Sequence, residues 1–230
     1  MTQCASEREH PVKGLGWTPP DPVPLRIETP RLVLRGYELS DIEPLFEQIS
    51  KWRSTLAPWV SWAATRHKDV VETSEWVAGQ ILASRVGSTQ PHRGLLITDR
   101  ATGAIVGGTG VHDIRPDTAS CETGYWVAGD RRGQGIAGEA CRHTISWALR
   151  AKDAGGLGLR RVRIYCSSAN AASMRVIEKL GVRREVVQRE DYFLDGIGLT
   201  DRIGWGVMAE EWDVGEHQLR TTSNRAQTGR

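Results

Sequence analysis

The most constraining segment of the chain is Ala128-Gly129-Asp130-Arg131-Arg132-Gly133-Gln134-Gly135-Ile136-Ala137-Gly138-Glu139. It follows the strand pattern Glu122-Thr123-Gly124-Tyr125-Trp126-Val127 and opens a helical pattern over 135–151, with Ala137, Cys141, Ile145, Ala148 and Leu149 on one side. A strand must therefore hand over to a helix through glycines and an arginine pair. The first N–H groups of a helix have no internal partner and carry partial positive charge, so this junction is suited to anions, phosphate above all. Glycine lets backbone come close to such a ligand.

The rest of the chain reads as one domain, expected over 25–213. Residues 1–24 hold Pro11, Pro19, Pro20, Pro22 and Pro24 among polar residues and read as a flexible arm, while 214–230 is polar and reads as a frayed tail. Leu25-Arg26-Ile27-Glu28 and Arg31-Leu32-Val33-Leu34-Arg35 alternate at period two, which predicts a first strand interrupted by Pro30. Ser40 is the expected cap of a helix through Leu45, Phe46 and Ile49, and a second helix is expected over 68–86. Gly94–Thr98 and Ala104–Val111 read as a hairpin, Arg161–Cys166 as a strand, Asn170–Leu180 as a helix ending at Gly181, and 184–194 and 201–208 as closing strands. About seven strands and four helices result, with hairpins early and strand-helix-strand units late. That order predicts an α/β (α+β) chain with a mixed, mostly antiparallel sheet.

Composition excludes some classes of function. A net charge of +2 with scattered basic residues gives no nucleic-acid footprint, and no apolar run approaches the ~20 residues needed to span a bilayer. The amino terminus lacks the pattern of a secretory signal, so a cytoplasmic location is expected. Cys4, Cys121, Cys141 and Cys166 have no paired spacing, which predicts free thiols and no metal site.

Gly133-Gln134-Gly135-Ile136-Ala137-Gly138 also satisfies the G-x-G-x-x-G fingerprint of NAD(P)-binding oxidoreductases. That fingerprint should follow its strand almost directly, whereas Ala128–Arg132 intervene here. It also requires an acid at the end of the next strand, where Ser167 and Ser168 stand. A plain capping loop without ligand is the third reading of the same residues.

Read as Arg-x-x-Gly-x-Ala, residues 132–137 resemble the coenzyme A signature of the GNAT superfamily of N-acetyltransferases. Further segments resemble the branch that acetylates ribosomal-protein amino termini: Glu28–Arg35, Leu56-Ala57-Pro58-Trp59-Val60-Ser61-Trp62, Glu122–Val127, Asn170-Ala171-Ala172-Ser173, Lys179-Leu180-Gly181 and Asp201–Val207. The resemblance covers about 25–212. It departs at Ile177, where many members carry a tyrosine acid, and at Val182, where an aromatic is usual.

The resemblance implies a GNAT fold with a splayed central strand pair and acetyl transfer from acetyl-coenzyme A to a primary amine, by direct attack in a ternary complex. The acceptor would be a protein amino terminus or a small molecule. It implies coenzyme binding by Arg132, Gly133, Gln134, Gly135, Ile136, Ala137 and Gly138, with the pantetheine arm held at Tyr125, Trp126 and Val127 and by Asn170 and Ser173. A backbone N–H at or near Val127 would polarise the carbonyl. Ser173 would protonate the thiolate, although a serine there is commonly a cap. Asn170 is likewise a good plain N-cap. Glu122 is the candidate base, with His112 and Asp113 behind it, since an amine must be neutral to attack. Trp52, Trp59 and Trp62 are candidate walls of the acceptor pocket, or simply core. A coenzyme A-binding protein without catalysis remains a further reading, and a homodimer is left open.

Overall fold

The computed structural model describes residues 14–21, 23, 25–85 and 92–212. Most of the arm expected over 1–24, Cys4 included, and all of the tail expected over 214–230 lie outside the described residues.

Within them the chain forms β1 (Arg26–Glu28), β2 (Leu32–Arg35), α1 (Ile42–Leu56), α2 (Ser61–Thr65), α3 (Val70–Ala83), β3 (Arg93–Asp99), β4 (Ile105–Arg115), β5 (Ser120–Val127), α4 (Ile136–Leu149), β6 (Arg161–Ser167), α5 (Ala171–Lys179), β7 (Arg183–Leu194) and β8 (Gly198–Met208). One sheet holds all the strands in the order β1-β2-β3-β4-β5-β6-β8-β7. Every neighbouring pair is antiparallel except β5 and β6. The single parallel pair follows from α4, which carries the chain back across the sheet between β5 and β6. No described helix is long and apolar enough to cross a membrane.

There are thus eight strands and five α-helices among the described residues, against about seven and four expected. The extra strand comes from Pro30. The first strand is not merely interrupted there; it reverses, and Thr29 closes the turn by donating its N–H to the Leu32 carbonyl at 2.9 Å. The extra helix is the short α2 in the tryptophan-rich stretch. Ser40 does not cap α1. It lies inside a 3-10 turn (Leu39–Asp41), and Asp41 accepts the Glu38 N–H at 2.8 Å. The buried Asp41 carboxylate is also gripped by Arg35 at 2.6 and 2.7 Å, so a charged acceptor displaces the hydroxyl as organiser of this helix start.

Period-two alternation sends neighbouring strand residues into two cores. Leu95 and Ile97 join α4 and α5 on one face with Ile145, Trp147, Val162 and Ile164, while Leu96 joins Leu45, Ile49, Val77 and Ile105 under α1 and α3. Leu95, Leu96 and Ile97 are each 0% exposed, and burying a side chain of this size contributes about 1.5–3 kcal/mol. The described part of the arm is anchored. Leu15 and Trp17 donate backbone N–H groups to Asp117 and Pro116, and the Trp17 indole donates to the Leu157 carbonyl at 2.8 Å. Cys121, Cys141 and Cys166 are free and buried.

Candidate active site

Pairing between β5 and β6 runs from Ser120↔Arg161 to Thr123↔Ile164 and stops. β4 continues beside β5 to Val127, and β8 continues beside β6 to Ser167. The two parallel strands therefore part, and the edge of β5 from Gly124 to Val127 faces a gap. The Ala128 N–H donates to the Val106 carbonyl at 2.9 Å, which sets the phase of the antiparallel ladder. By alternation, Trp126 and Gly124 bond toward β4, while the N–H and C=O of Tyr125 and Val127 turn toward the gap. Gly108, opposite Trp126, makes room for that indole: a Cβ there would stand 2.4 Å from the indole nitrogen.

The gap opens into a cavity of about 1120 Å³. Its lining brings together Arg132, Gly133, Gly135, Ile136, Ala137 and Gly138 of the loop, Glu122 and Tyr125–Val127 of β5, Asn170 and Ser173 of α5, and Trp59, Trp62 and His112. Three expectations fall outside it. Gln134 turns its amide back to the Asp130 carbonyl at 3.0 Å, and its own carbonyl accepts from Arg31. Trp52 packs on Gly129, where a Cβ would stand 2.2 Å from the ring, so it supports the loop from behind. Asp113 is held by Arg115 and Arg163; burial pushes its carboxyl up, but those hydrogen bonds outweigh it and keep it below the usual range. An acid tied to two arginines is a poor proton acceptor.

The loop geometry fits a phosphate. Gly133 and Gly135 have φ of +75° and +78°, the left-handed region, and Gly135 is the residue that caps α4. A Cβ at Gly133 or Gly138 would meet nothing within 4 Å, and one at Gly135 only an Arg31 nitrogen at 3.4 Å. Open space thus lies over the first turn of α4, whose N–H groups point into it. Arg132 is braced by the Thr55 carbonyl and hydroxyl at 3.2 and 3.3 Å. Glu139, in the same turn, does not repel an anion strongly. Burial pushes its carboxyl up, hydrogen bonds from Thr29 and Arg31 outweigh that, and Arg31 neutralises it at 2.7 Å.

On α5, Asn170 is the N-cap: its side-chain oxygen accepts the Ser173 N–H at 3.0 Å. The Ser173 hydroxyl meets the Tyr125 hydroxyl at 3.0 Å. Sequence reasoning identified both residues but not the pair, because the contact depends on how far α5 is drawn across the gap. Burial raises the Tyr125 phenol well above its ordinary value, so it stays a proton-bearing group. Burial also pushes the Cys166 thiol up to about 11, against a hydrogen bond from Ser173.

On the opposite face of β5, Glu122 sits across from His112, its carboxylate 3.2 Å from Nε2. A guanidinium nitrogen of Arg202 stands 3.7 Å from the other oxygen. The Glu122 side chain is 18% exposed and that of His112 49%, so the imidazole is the wetter end of the pair. Trp62 packs edge-on against Trp126 with ring centres 6.0 Å apart, and against His67 at 5.8 Å. His67 and Arg202 carry no pattern in the sequence that would single them out.

A model of the acetyltransferase (GNAT) domain matches residues 31–183. The chain belongs to the GNAT acetyltransferase family. Members of this family use acetyl-coenzyme A as co-substrate, and the chain is accordingly an acyltransferase. The nicotinamide reading finds no support, and a sheet with one parallel pair is not the parallel sheet that reading requires. YdaF of Bacillus subtilis (strain 168), which bears a provisional name as a ribosomal N-acetyltransferase, is 29% identical over 111 residues. That match covers 48% of this chain and 57% of YdaF, little more than half of the relative's length. YoaA of the same organism, an uncharacterized N-acetyltransferase, is 26% identical over 172 residues, covering 74% of this chain and 89% of YoaA. The solved structure of RimL, a ribosomal L7/L12 alpha-N-protein acetyltransferase in complex with coenzyme A, superposes with a TM-score of 0.70 at 23% identity. It covers 80% of this chain and 97% of RimL, and at that identity the likeness concerns the fold.

Proposed function

We propose that the chain transfers an acetyl group from acetyl-coenzyme A to a primary amine, a protein amino terminus or a small molecule, by direct attack within the gap between β5 and β6. The observation that carries this reading is the ending of β5–β6 pairing at Thr123↔Ile164, beside an uncovered helix start. Arg132–Gly138 hold the pyrophosphate through backbone N–H groups, and Gln134 contributes backbone only. Bound there, the coenzyme supplies an activated thioester and a thiol leaving group.

The edge of Tyr125–Val127 pairs with the pantetheine arm as an added strand would, assisted by Asn170. The Val127 N–H donates to the acetyl carbonyl oxygen, where negative charge develops during attack. The Ser173 hydroxyl, held by a hydrogen bond from the protonated Tyr125 phenol, donates a hydrogen bond to the departing sulfur and stabilises it as the thiolate. Since a thiol of pKa ~8.5 leaves readily, this assistance contributes rate without being indispensable. Glu122 and His112 take the proton lost by the amine. Arg202 positions the carboxylate. An α-amine, pKa ~7.7–8.0, needs less help here than a lysine at ~10.4.

The test is thiol release from several acyl-coenzyme A donors against a panel of amino-terminal peptides and small amines. Release with acetyl-coenzyme A and at least one primary amine is expected. Tight coenzyme binding without release across the panel would leave a binding protein instead.

A further inference from the structure

The linker between α2 and α3 holds a residue that neither the loop nor the gap accounts for. His67 is 3% exposed, yet it lines the cavity on the side walled by tryptophans. Its backbone has φ of +55°, an uncommon conformation for a side-chain-bearing residue. Arg53 on α1 holds it there, donating to the carbonyls of Ala63 at 2.5 Å, Arg66 at 2.9 Å and His67 itself. One half-buried guanidinium thus clamps three carbonyls, those of Ala63, Arg66 and His67, around the turn that presents a single imidazole.

The ring's protonation follows from its neighbours. His67 Nδ1 lies 3.2 Å from the Thr73 hydroxyl oxygen. That hydroxyl has one proton and donates it to the Asp69 carbonyl at 2.9 Å. With that proton given to Asp69, Thr73 accepts from the imidazole, an arrangement that assigns the hydrogen to Nδ1 and leaves Nε2 as the bare, accepting nitrogen. No described residue hydrogen-bonds Nε2. Trp62 and Trp76 stand edge-on to the ring at 5.8 and 5.6 Å, and Trp62 leads on to Trp126 beside the gap. Burial, with Arg53 and Arg66 nearby and only Glu72 opposing them, moves the imidazole down to about 4, so it is uncharged near neutrality.

We propose that His67 is a specificity residue of the acceptor pocket: its Nε2 selects amines that carry a hydroxyl or amide N–H donor beside an apolar body. This rests on the acyl-transfer reading above. An acceptor with only hydrocarbon at this point leaves Nε2 unsatisfied. One with a carboxylate there sets negative charge against the lone pair. Both should be disfavoured.

The experiment uses the full chain with acetyl-coenzyme A and amino-terminal peptides in which threonine and valine, equal in shape, are exchanged at each of the first three positions. At one position threonine is expected to exceed valine by about tenfold in kcat/KM, the range of one neutral hydrogen bond made or left unmade. His67→Phe should bring that ratio close to one. Thr73→Val, a gentler change that frees the tautomer, should lower it part-way. No threonine preference at any position, or one that survives in His67→Phe, overturns the proposal. Imidazole 15N resonances provide a second readout: wild type should show hydrogen on Nδ1 at pH 6–7, and Thr73→Val a mixture. The opposite tautomer in wild type overturns the proposal whatever the kinetics show. No thiol release from any acceptor would defeat the acyl-transfer reading instead. A threonine peptide that then shifts the Nε2 resonance, where its valine twin does not, would still support the role of His67, and no shift would refute it.

Discussion

Gly138 separates what the fold needs from what a ligand needs. It is the third residue of α4, with helical backbone, and a Cβ there would meet nothing within 4 Å. Glycine in a helix costs about 0.5–1 kcal/mol relative to alanine, so Gly138→Ala should stabilise the free protein by that amount. For a domain of this size the gain corresponds to a rise of about 1–4 °C in Tm. If the first turn of α4 lies against the coenzyme pyrophosphate, the added methyl group displaces a charged oxygen from a backbone N–H. Losing one such hydrogen bond, worth about 1.5–3 kcal/mol, should weaken acetyl-coenzyme A binding by roughly 10- to 100-fold. Thermal melts with and without coenzyme, together with titration calorimetry, read both effects on one variant. A higher Tm with unchanged affinity would refute the placement of the pyrophosphate. A lower Tm would refute the claim that the position has room.

Three further outcomes are expected. Ser173→Ala and Tyr125→Phe should each lower kcat in the thiol-release assay while leaving the Kd for coenzyme nearly unchanged, and the double variant should lose little more than the worse single one, because the two hydroxyls act through one contact; independent, multiplying losses would deny the pair. Asp41→Ala strips the partner from Arg35 at a buried site and should cost about 3–5 kcal/mol in urea unfolding, whereas a cost under 1 kcal/mol would mean the pair is not what organises the start of α1. His67 sits near 4 when folded and near 6.5 when unfolded, so the unfolded chain binds more protons between those values and stability falls as pH drops through this window, by on the order of 3 kcal/mol. His67→Phe should flatten that slope, and an unaltered slope would show that another group governs it.

How far the site was legible in the sequence differs from residue to residue. The glycine loop was readable because its chemistry is local: φ above zero and free helix N–H groups are properties of consecutive residues. Asn170 was readable for the same reason, as a cap three residues before Ser173. Asp113 was a candidate base on type and proximity in sequence, yet Arg163 and Arg115 neutralise it, and Arg163 comes from a strand fifty residues away. Trp52 and Trp62 look alike in the chain. They differ only because Trp52 meets Gly129 and Trp62 meets Trp126. Ser40 appeared to be the cap of α1 until Arg35, brought in by the first hairpin, charged the competition in favour of Asp41.

By itself, then, the sequence determined the period-two strands and the strand-to-helix handover at residues 128–139, because short-range geometry and backbone hydrogen bonding dictate these. Only the tertiary structure decided where β5 and β6 part, that Tyr125 reaches Ser173, that Glu122 faces His112 and Arg202, and that Arg53 turns His67 into the pocket. Those contacts join segments far apart in the chain, and their partners are selected by strand register and helix packing, which no local pattern encodes.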